Sequence, residues 1–502
     1  MTFHLAIARA AQQEPRKSAV RGQGFDRSWG QTADRIARLA AGLRRCSLAK
    51  GDAVAIHAAN SVEHFEITHA AIWAGLVVVP LNTRLSAHEK AEILQDSDAR
   101  AILFDAGSHE QVHQFATAGN IHRLPMDAAH FAQLLDNPPA VAASTSSQDL
   151  LGLYYTGGTT GRPKGVELTH QTFHLTAIDQ AIGMECGEQT VYLQASPIFH
   201  LAGFTTGNGV TCRNGTHVFH EDLSPAGIIA SIERFGVNFL MLVPTMFHAL
   251  LETCGTSHPA LAQVENVVYG AAPASEALLM RMMTAFPKAR IKQAYGQTEI
   301  GGACIFHPAE AHVPCGPKLK RTGRATLSTH VRIVGPDGKE APRGTVGELV
   351  IAGPRIMRGY RNMPEVTART IVEGWLHTGD LAYMDDDGYV AVVDRLKEMI
   401  VTGGENVFCG EVENVLSQHP DVAAVAIVGV PDEKWGEAVH AFVVPRQGAD
   451  LDVQHMLQSA RNQLAGYKVP KGVTLLDQLP VSSVGKVRKN LLRERWVEAA
   501  RA

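Results

Sequence analysis

Helix-like and strand-like segments alternate along the first third of this chain, and this alternation limits its possible folds more than any other feature. Apolar and small side chains recur at helical spacing in three segments, residues 28–44, 65–73 and 90–95. Short apolar runs typical of buried strands lie between or after them, at residues 52–56, 77–79, 101–104 and 150–155. Repeated βα units stack around a parallel sheet. The sequence therefore predicts an α/β fold, with layered sheets in a large N-terminal domain.

The last hundred residues have a different pattern. After residue 396 come a glycine turn, an amphipathic helix at 411–417, two apolar strands, a second amphipathic helix near 453–464 and a strand near 473–476. This order predicts a small α+β domain. A chain of 502 residues also exceeds what one core usually supports. We expect a large domain at residues 1–395 and a small one at 396–502.

Composition excludes several classes of protein. Hydrophobic residues make up 45% and charged residues 19% of the chain, which is typical of a globular protein. The 46 basic and 50 acidic side chains give a net charge of −4, which favours neither a nucleic-acid partner nor a polybasic membrane anchor. The longest apolar stretch, residues 70–81, is too short to insert stably across a bilayer. Seven scattered cysteines without a CxxC pair, and a start unlike an export signal, predict a cytoplasmic protein.

The segment with the most chemical information is YTGGTTGRPKGV, residues 155–166. Its glycines let backbone N–H groups approach an anion, its threonine hydroxyls can donate hydrogen bonds, and its lysine adds positive charge. The spacing differs from that of a Walker A loop, which needs GxxxxGK followed by Ser or Thr. The composition therefore predicts a phosphate-binding loop of another type. Its candidate contact residues are Thr156, Gly157, Gly158, Thr159, Thr160 and Lys164.

Five further motifs follow this loop in order along the chain. They are YGQTE at 295–299, WLHTGD at 375–380, DRLK at 394–397, GGEN at 403–406 and GK at 485–486. Together with the loop, they resemble the motifs of the adenylate-forming superfamily, which includes acyl-CoA synthetases, luciferases and the adenylation domains of peptide synthetases. The resemblance covers nearly the whole chain. It is closest to stand-alone AMP-forming acyl-CoA synthetases that act on fatty or aromatic acids.

The resemblance implies a two-step reaction with ATP, Mg²⁺ and coenzyme A. A carboxylate would attack the α-phosphate of ATP to give an acyl-adenylate and pyrophosphate, and the acyl group would then pass to the thiol of coenzyme A. Negative charge builds on phosphate oxygens in the first step, so cations and donors must lie close by. By resemblance, Lys486 is the main catalytic residue, Thr298 contacts phosphate and Glu299 holds the magnesium ion. The other nucleotide contacts that it implies are Tyr295, Gly296, Gln297, Asp380 and Arg395.

The resemblance also implies that the small domain rotates between the two steps, with Lys397 at the pivot. The residues it places along coenzyme A are Gly403, Gly404, Trp435, Tyr467 and Lys468. The segment SPIFHLAG at 196–203 resembles the acyl-pocket motif, in which His200 lies near the substrate carboxylate or guards the thiol tunnel. This segment has no acid to pair an α-amino group and no nearby cation to pair a second carboxylate, so an apolar monocarboxylate is expected.

Two residues depart from the family pattern. Gly157 stands where a serine is commoner, which predicts weaker ATP binding than in a Gly157→Ser variant. Cys409 replaces a usual proline and is either a reactive thiol beside the tunnel or a buried, inert one. Two other functions stay open, namely an adenylase that transfers its acyl group to a carrier protein or another acceptor, and a regulatory module without catalysis. The joint presence of Lys486, Glu299 and Asp380 argues against the second. A homodimer also stays open.

Overall fold

A computed structural model describes residues 3–117, 121–156, 163–481 and 487–501 of this protein. Local sequence signals fix several helix ends. Ser28 and Ser86 each form a capping box with the residue three positions later, and Gly75 ends a helix in the left-handed conformation. The α-helices of these residues are α1 (Leu5–Gln13), α2 (Trp29–Arg45), α3 (Val62–Ala74), α4 (Ala87–Asp96), α5 (His109–Phe115), α6 (Ala128–Leu135), α7 (His170–Gly183), α8 (Leu201–Cys212), α9 (Pro225–Phe235), α10 (Pro244–Cys254), α11 (Glu276–Ala285), α12 (Pro364–Thr370), α13 (Cys409–Leu416), α14 (Val453–Arg461) and α15 (Lys489–Arg501).

The strands of the same residues form four sheets. In chain order they are β1 (Ser18–Gly22), β2 (Phe25–Ser28), β3 (Ala53–His57), β4 (Val77–Pro80), β5 (Ala101–Phe104), β6 (His122–Pro125), β7 (Leu150–Thr156), β8 (Lys164–Thr169), β9 (Val191–Leu193), β10 (Thr216–Phe219), β11 (Phe239–Leu242), β12 (Asn266–Gly270), β13 (Arg290–Gln297), β14 (Gly302–His307), β15 (Arg324–Ala325), β16 (His330–Val334), β17 (Gly347–Ala352), β18 (Ile371–Val372), β19 (Trp375–Met384), β20 (Val390–Arg395), β21 (Ile400–Thr402), β22 (Glu405–Val407), β23 (Val422–Asp432), β24 (Gly436–Pro445) and β25 (Gly472–Leu475).

Two of the sheets are mostly parallel, which confirms the predicted α/β class. The six-stranded sheet has the order β6-β5-β3-β4-β7-β8 and is parallel except between β7 and β8. The nine-stranded sheet has the order β15-β14-β13-β12-β11-β9-β10-β1-β2, with antiparallel strands at both edges. Its inner strands are parallel. Helices cover these strands, as crossover connections require.

A third sheet differs from the α/β pattern expected for the whole large domain. Its strands β16, β17, β19, β18 and β20 are all antiparallel, and only one helix, α12, lies between them among the described residues. The strands alternate between buried and more accessible residues, because an antiparallel sheet can keep one face toward water. The largest apolar cluster contains residues from this sheet and from both mostly parallel sheets, so one core joins all three.

The fourth sheet belongs to the C-terminal part of the chain and has its own apolar clusters. Its order is β22-β21-β24-β23, with β25 also paired to β24, and the pattern of helices and strands there agrees with the predicted α+β domain. A turn at residues 396–399 separates β20 of the third sheet from β21 of the fourth. The boundary between residues 395 and 396 stays a prediction. In the described residues, no helix has the length and apolar composition needed to cross a membrane.

Candidate active site

A buried carboxylate lies at the centre of the candidate site. Asp380 on β19 is only 3% exposed, and one of its oxygens accepts hydrogen bonds from the Tyr295 hydroxyl at 2.6 Å and the Gln297 amide at 2.8 Å. Its other oxygen lies 3.0 Å from Nε of Arg395. Burial, and then the negative charge of Asp380, raise the pKa of Tyr295 well above its ordinary value, so its hydroxyl stays a donor. Four residues predicted to bind the nucleotide are therefore in one cluster.

Strand pairing places these side chains. Asp380 and Arg395 face each other in the antiparallel register of β19 and β20. The backbone bends before Asp380 at Gly379, which has φ of 67°, and Thr378 accepts the Asp380 N–H at 3.1 Å through its hydroxyl. Tyr295 and Gln297 come from the end of β13, at the edge of the nine-stranded sheet where β14 begins. The site thus lies where two sheets meet.

Gly296 lies between Tyr295 and Gln297 and could not be replaced without moving the backbone. A Cβ atom at Gly296 would lie 2.0 Å from the carbonyl oxygen of Gly302 on β14. That close approach of β13 and β14 requires glycine at this position. The sequence predicted a nucleotide contact here, and the structure gives the residue a packing role as well.

Glu299 lies in a short 3-10 turn, Thr298–Ile300, directly after β13. Its carboxylate accepts a hydrogen bond from the Tyr360 hydroxyl at 2.9 Å. The ammonium of Lys164, at the start of β8, lies 4.6 Å from the centre of the Tyr360 ring. Tyr360 therefore stands between the predicted metal ligand and the lysine of the predicted phosphate loop. The sequence did not indicate Tyr360, because a single tyrosine outside a recognised motif carries no signal.

The cations of the site lie close to one another. Burial lowers the pKa of Lys397 below its ordinary value, and the positive charges of Arg395 and Lys164 lower it further. Lys397, predicted at the pivot, therefore lies close enough to Arg395 and Lys164 for their charges to act on it. Such a concentration of positive charge suits a triphosphate.

The residues around Glu299 are compatible with Mg²⁺ that arrives with a nucleotide. In the parts of the chain that are described, no three His, Cys, Asp or Glu side chains form a group able to hold a metal ion by themselves. Mg²⁺ bound to phosphates needs only one or two protein carboxylates and keeps several waters. Glu299 has one oxygen on Tyr360 and a second oxygen that can serve as a ligand. Thr298 adjoins it in the same turn.

The predicted phosphate loop connects β7 to β8, and only its two ends are described. Thr156 pairs with Lys164 across these antiparallel strands. The buried hydroxyl of Thr156 has no hydrogen-bond partner among the residues that the structure describes. The other predicted loop contacts, and the predicted catalytic lysine, lie outside those residues. They are Gly157, Gly158, Thr159, Thr160 and Lys486.

His200 occupies the position before α8 in an extended conformation, without a side-chain hydrogen bond to the helix end, and its ring centre lies 4.7 Å from that of Phe199. The turn before it is held by Asn60, which lies between β3 and α3. The Asn60 amide donates to the carbonyls of Gln194 at 2.9 Å and Ser196 at 3.0 Å, and its oxygen accepts the backbone N–H of Ile198 at 2.8 Å. The sequence gave no sign of Asn60, because its partners lie more than a hundred residues away.

The apolar surface next to this turn is built from small side chains. Ala202 on α8 and Ala303 on β14 pack against a buried cluster that includes Met241, Val268 and Ala294. These side chains carry no charge, so an apolar monocarboxylate stays the expectation for the acid.

The predicted coenzyme A residues fall into two groups. The Trp435 ring is 40% exposed, packs against Gly403 and has the ammonium of Lys471 4.4 Å from its centre. Gly403 and Gly404 form the two-residue turn between β21 and β22, both with positive φ. Lys468 instead pairs with both oxygens of Glu411 at 2.8 Å, beside the exposed Tyr467. Lys471 is therefore better placed than Lys468 to act near Trp435.

Cys409 is a buried and inert thiol, which decides between the two alternatives for it. It is fully buried, and its thiol donates to the backbone oxygen of Glu398 at 3.2 Å. Burial raises the pKa of Cys409 far above its ordinary value, so the thiolate that would react is suppressed.

Known proteins are similar to this chain over nearly its whole length. A family model described as AMP-binding enzyme matches residues 7–361, and the AMP-binding enzyme C-terminal domain matches residues 411–486. A feruloyl-CoA synthase from an Amycolatopsis species is 36% identical over 496 residues, 97% of this chain and 98% of that protein. The fatty acid–[acyl-carrier-protein] ligase ScoC of Streptomyces coeruleorubidus is 35% identical, over 98% of this chain and 96% of its own. The crystal structure of ATP-bound MatB from Rhodopseudomonas palustris superposes with a TM-score of 0.90 at 29% identity, covering 99% of both chains.

Proposed function

This chain belongs to the family of AMP-binding enzymes and is an AMP-forming acid–thiol ligase, and we propose on that premise that it joins an aromatic monocarboxylate to coenzyme A. The observation that carries the proposal is the cluster around Asp380, in which Tyr295, Gln297 and Arg395 all contact one buried carboxylate. A buried carboxylate at the meeting point of two sheets is a suitable acceptor for the two ribose hydroxyls of ATP.

In the first step, the substrate carboxylate forms a bond to the α-phosphorus of ATP while the bond to pyrophosphate breaks. Lys164, Arg395 and Lys397 offset the negative charge of the phosphates, and the Thr298 hydroxyl donates to a phosphate oxygen. Lys486 supplies the remaining positive charge to the transition state. The products are an acyl-adenylate and pyrophosphate.

Glu299 would hold Mg²⁺ that accompanies ATP. When bound, this ion supplies positive charge to the phosphate oxygens. The support for this role is the carboxylate's second oxygen, which the hydrogen bond from Tyr360 leaves for a ligand.

In the second step, the thiol of coenzyme A attacks the acyl carbonyl and AMP leaves. The small domain turns at Lys397 so that the pantetheine arm can pass Gly403 and Gly404. Trp435 offers an exposed aromatic face to this cofactor, and Lys471 offers positive charge beside it. Tyr467 and Lys468, which form a separate group, are proposed as secondary contacts.

The proposed acid is an aromatic monocarboxylate similar to ferulate. Support comes from the feruloyl-CoA synthase, which is related over nearly its whole length, and from the uncharged cluster against which Ala202 and Ala303 pack. The similarity to ScoC favours a second candidate, a fatty acid passed to a carrier protein. The two candidates differ in both acid and acceptor.

The test is to incubate the purified protein with Mg-ATP, coenzyme A and one acid at a time from ferulate, 4-hydroxybenzoate, benzoate, octanoate and palmitate. Pyrophosphate release and acyl-CoA mass are both measured. Feruloyl-CoA or another aryl-CoA as the main product supports the proposal. The second candidate would be favoured if pyrophosphate is released without acyl-CoA and a thioester forms only when a carrier protein is added.

A further inference from the structure

Tyr360 is held in place by its own backbone. It lies in the connection between β17 and α12 and is 7% exposed. The residues on either side of it pair with β8, because the N–H of Arg358 donates to Glu167 at 3.0 Å and that of Arg361 donates to Gly165 at 2.7 Å. Tyr360 also forms a bridge with Val166. The strand that follows the phosphate loop thus fixes the position of this ring.

The side chain of Tyr360 contacts two predicted site residues, one through its hydroxyl and one through its ring. Its hydroxyl donates to Glu299 at 2.9 Å, and its ring faces the ammonium of Lys164 at 4.6 Å. The carboxylate of Glu299 can only accept, so the proton of this bond comes from Tyr360.

The hydroxyl bond limits how Glu299 can turn. With one oxygen held by Tyr360 and the backbone oxygen of Glu299 held by the N–H of Met357 at 2.8 Å, both ends of the residue are fixed. A metal ligand with a fixed orientation binds more tightly than a free one, because less motion is lost on binding. A tyrosine that served packing alone could be replaced by phenylalanine without effect.

We propose that Tyr360 is a positioning residue for the nucleotide-bound metal: its hydroxyl orients Glu299 toward the ion, and its ring places Lys164 beside the phosphates. The inference rests on the proposed function, because it takes Mg-ATP as the substrate. It adds a residue that lies outside all six sequence motifs.

The test compares three variants that separate the hydroxyl from the ring. Tyr360→Phe removes only the hydroxyl, Tyr360→Leu removes the ring as well, and Tyr383→Phe is the matched control. Tyr383 lies on β19 and accepts a hydrogen bond from Arg321 at 2.6 Å, away from Glu299. Each protein is saturated with a non-hydrolysable ATP analogue and titrated with Mn²⁺ by electron paramagnetic resonance. Nucleotide affinity in EDTA and the thermal midpoint are measured in parallel.

We expect Tyr360→Phe to weaken Mn²⁺ binding by about 10- to 100-fold, as loss of an outer-shell partner does. Its nucleotide affinity in EDTA and its thermal midpoint should match those of the wild type. Tyr360→Leu should weaken binding of the nucleotide in EDTA as well, and Tyr383→Phe should change neither affinity. Wild-type Mn²⁺ affinity in Tyr360→Phe, or an equal loss of metal-free nucleotide binding, overturns the inference.

Failure of the inference can be told apart from failure of the proposed function. If the wild type binds the ATP analogue and makes acyl-CoA but Tyr360→Phe binds Mn²⁺ normally, only the role of Tyr360 is wrong. If the wild type binds neither the analogue nor Mn²⁺, the proposed ATP site is wrong and the inference fails with it.

Discussion

Asp380 and Arg395 face each other across β19 and β20, with Nε of Arg395 3.0 Å from the Asp380 carboxylate. The same carboxylate accepts two further hydrogen bonds, from Tyr295 and Gln297. A buried charge is tolerated only when it is paired and hydrogen-bonded. These three neighbours therefore explain how a charged carboxylate can be buried at this position in the absence of a ligand.

Replacing Asp380 with asparagine should lower kcat/KM for ATP. Each hydrogen bond to a charged group contributes about 1.5–3 kcal/mol, which corresponds to roughly 10- to 100-fold in kcat/KM. The measurement is pyrophosphate release at varied ATP. Asp385→Asn is the control, because Asp385 pairs with Arg321 in a turn outside the cluster. Equal effects of the two substitutions would contradict a special role for Asp380.

Replacing Trp435 with alanine should raise KM for coenzyme A and leave the first step unchanged. Stacking of a base on an aromatic side chain contributes about 1–3 kcal/mol, so an increase of roughly 5- to 100-fold is expected. Trp435→Phe keeps an aromatic face and should restore most of the affinity. Acyl-CoA formation at varied coenzyme A is compared with pyrophosphate release in its absence. A loss confined to pyrophosphate release would show that Trp435 acts in the first step and would contradict the prediction.

Replacing Lys486 with alanine should suppress acyl-adenylate formation by about 100- to 1000-fold, the usual effect of removing one transition-state donor. Conversion of a supplied aryl-adenylate to the thioester should be largely retained, because no pyrophosphate leaves in this step and its negative charge does not have to be stabilised. The measurement is the rate of each half-reaction, with circular dichroism to check folding. Lys339→Ala, an exposed turn position, serves as the control. Equal losses in both half-reactions would contradict the assignment.

Acid should destabilise this protein steeply below about pH 6.5. Burial lowers the pKa of a set of histidines to about 3 or 4 in the folded protein, namely His57, His64, His69, His170, His217, His307 and His312. In the unfolded chain their pKa is about 6.5. Their neutral forms therefore contribute full stability above about pH 6.5, and this is lost as pH falls toward 4.

The measurement is the free energy of unfolding in urea between pH 7 and pH 5. Its slope against pH gives the number of protons taken up on unfolding. Each proton taken up adds about 1.4 kcal/mol per pH unit to the slope. Several protons are expected near pH 5. An unfolding free energy that stays constant between pH 7 and pH 5 would show that these histidines titrate alike in both states.

The cluster around Asp380 was predictable because its residues sit in short linear motifs. Tyr295, Gln297, Asp380 and Arg395 were all chosen from such motifs, and the structure brings them within hydrogen-bond distance. The mostly parallel sheets were predictable for a similar reason, since buried strands and amphipathic helices have clear patterns. The antiparallel third sheet was not, because the βα alternation that predicted the other two sheets is missing there, and its strands follow one another with only α12 between them in the described part of the chain.

Contacts between distant segments could not be predicted. Tyr360 is placed by backbone pairing with β8, and the Asn60 side chain bonds the backbone of residues 194–198, far away in the chain. Neither residue has a local pattern. Lys468 shows the opposite case. The motif around it suggested a contact with coenzyme A, but the ion pair with Glu411 depends on how α13 packs, which the local sequence does not specify.

Arg395 connects two parts of the molecule through different groups. Its guanidinium lies on Asp380, while its carbonyl oxygen accepts the N–H groups of Glu398 and Met399 in the turn before β21. A ligand that competes for Asp380 therefore acts on the first residue of the path to the C-terminal sheet. A compound that clamps this arginine would therefore disturb the Asp380 cluster and the turn before β21 at the same time.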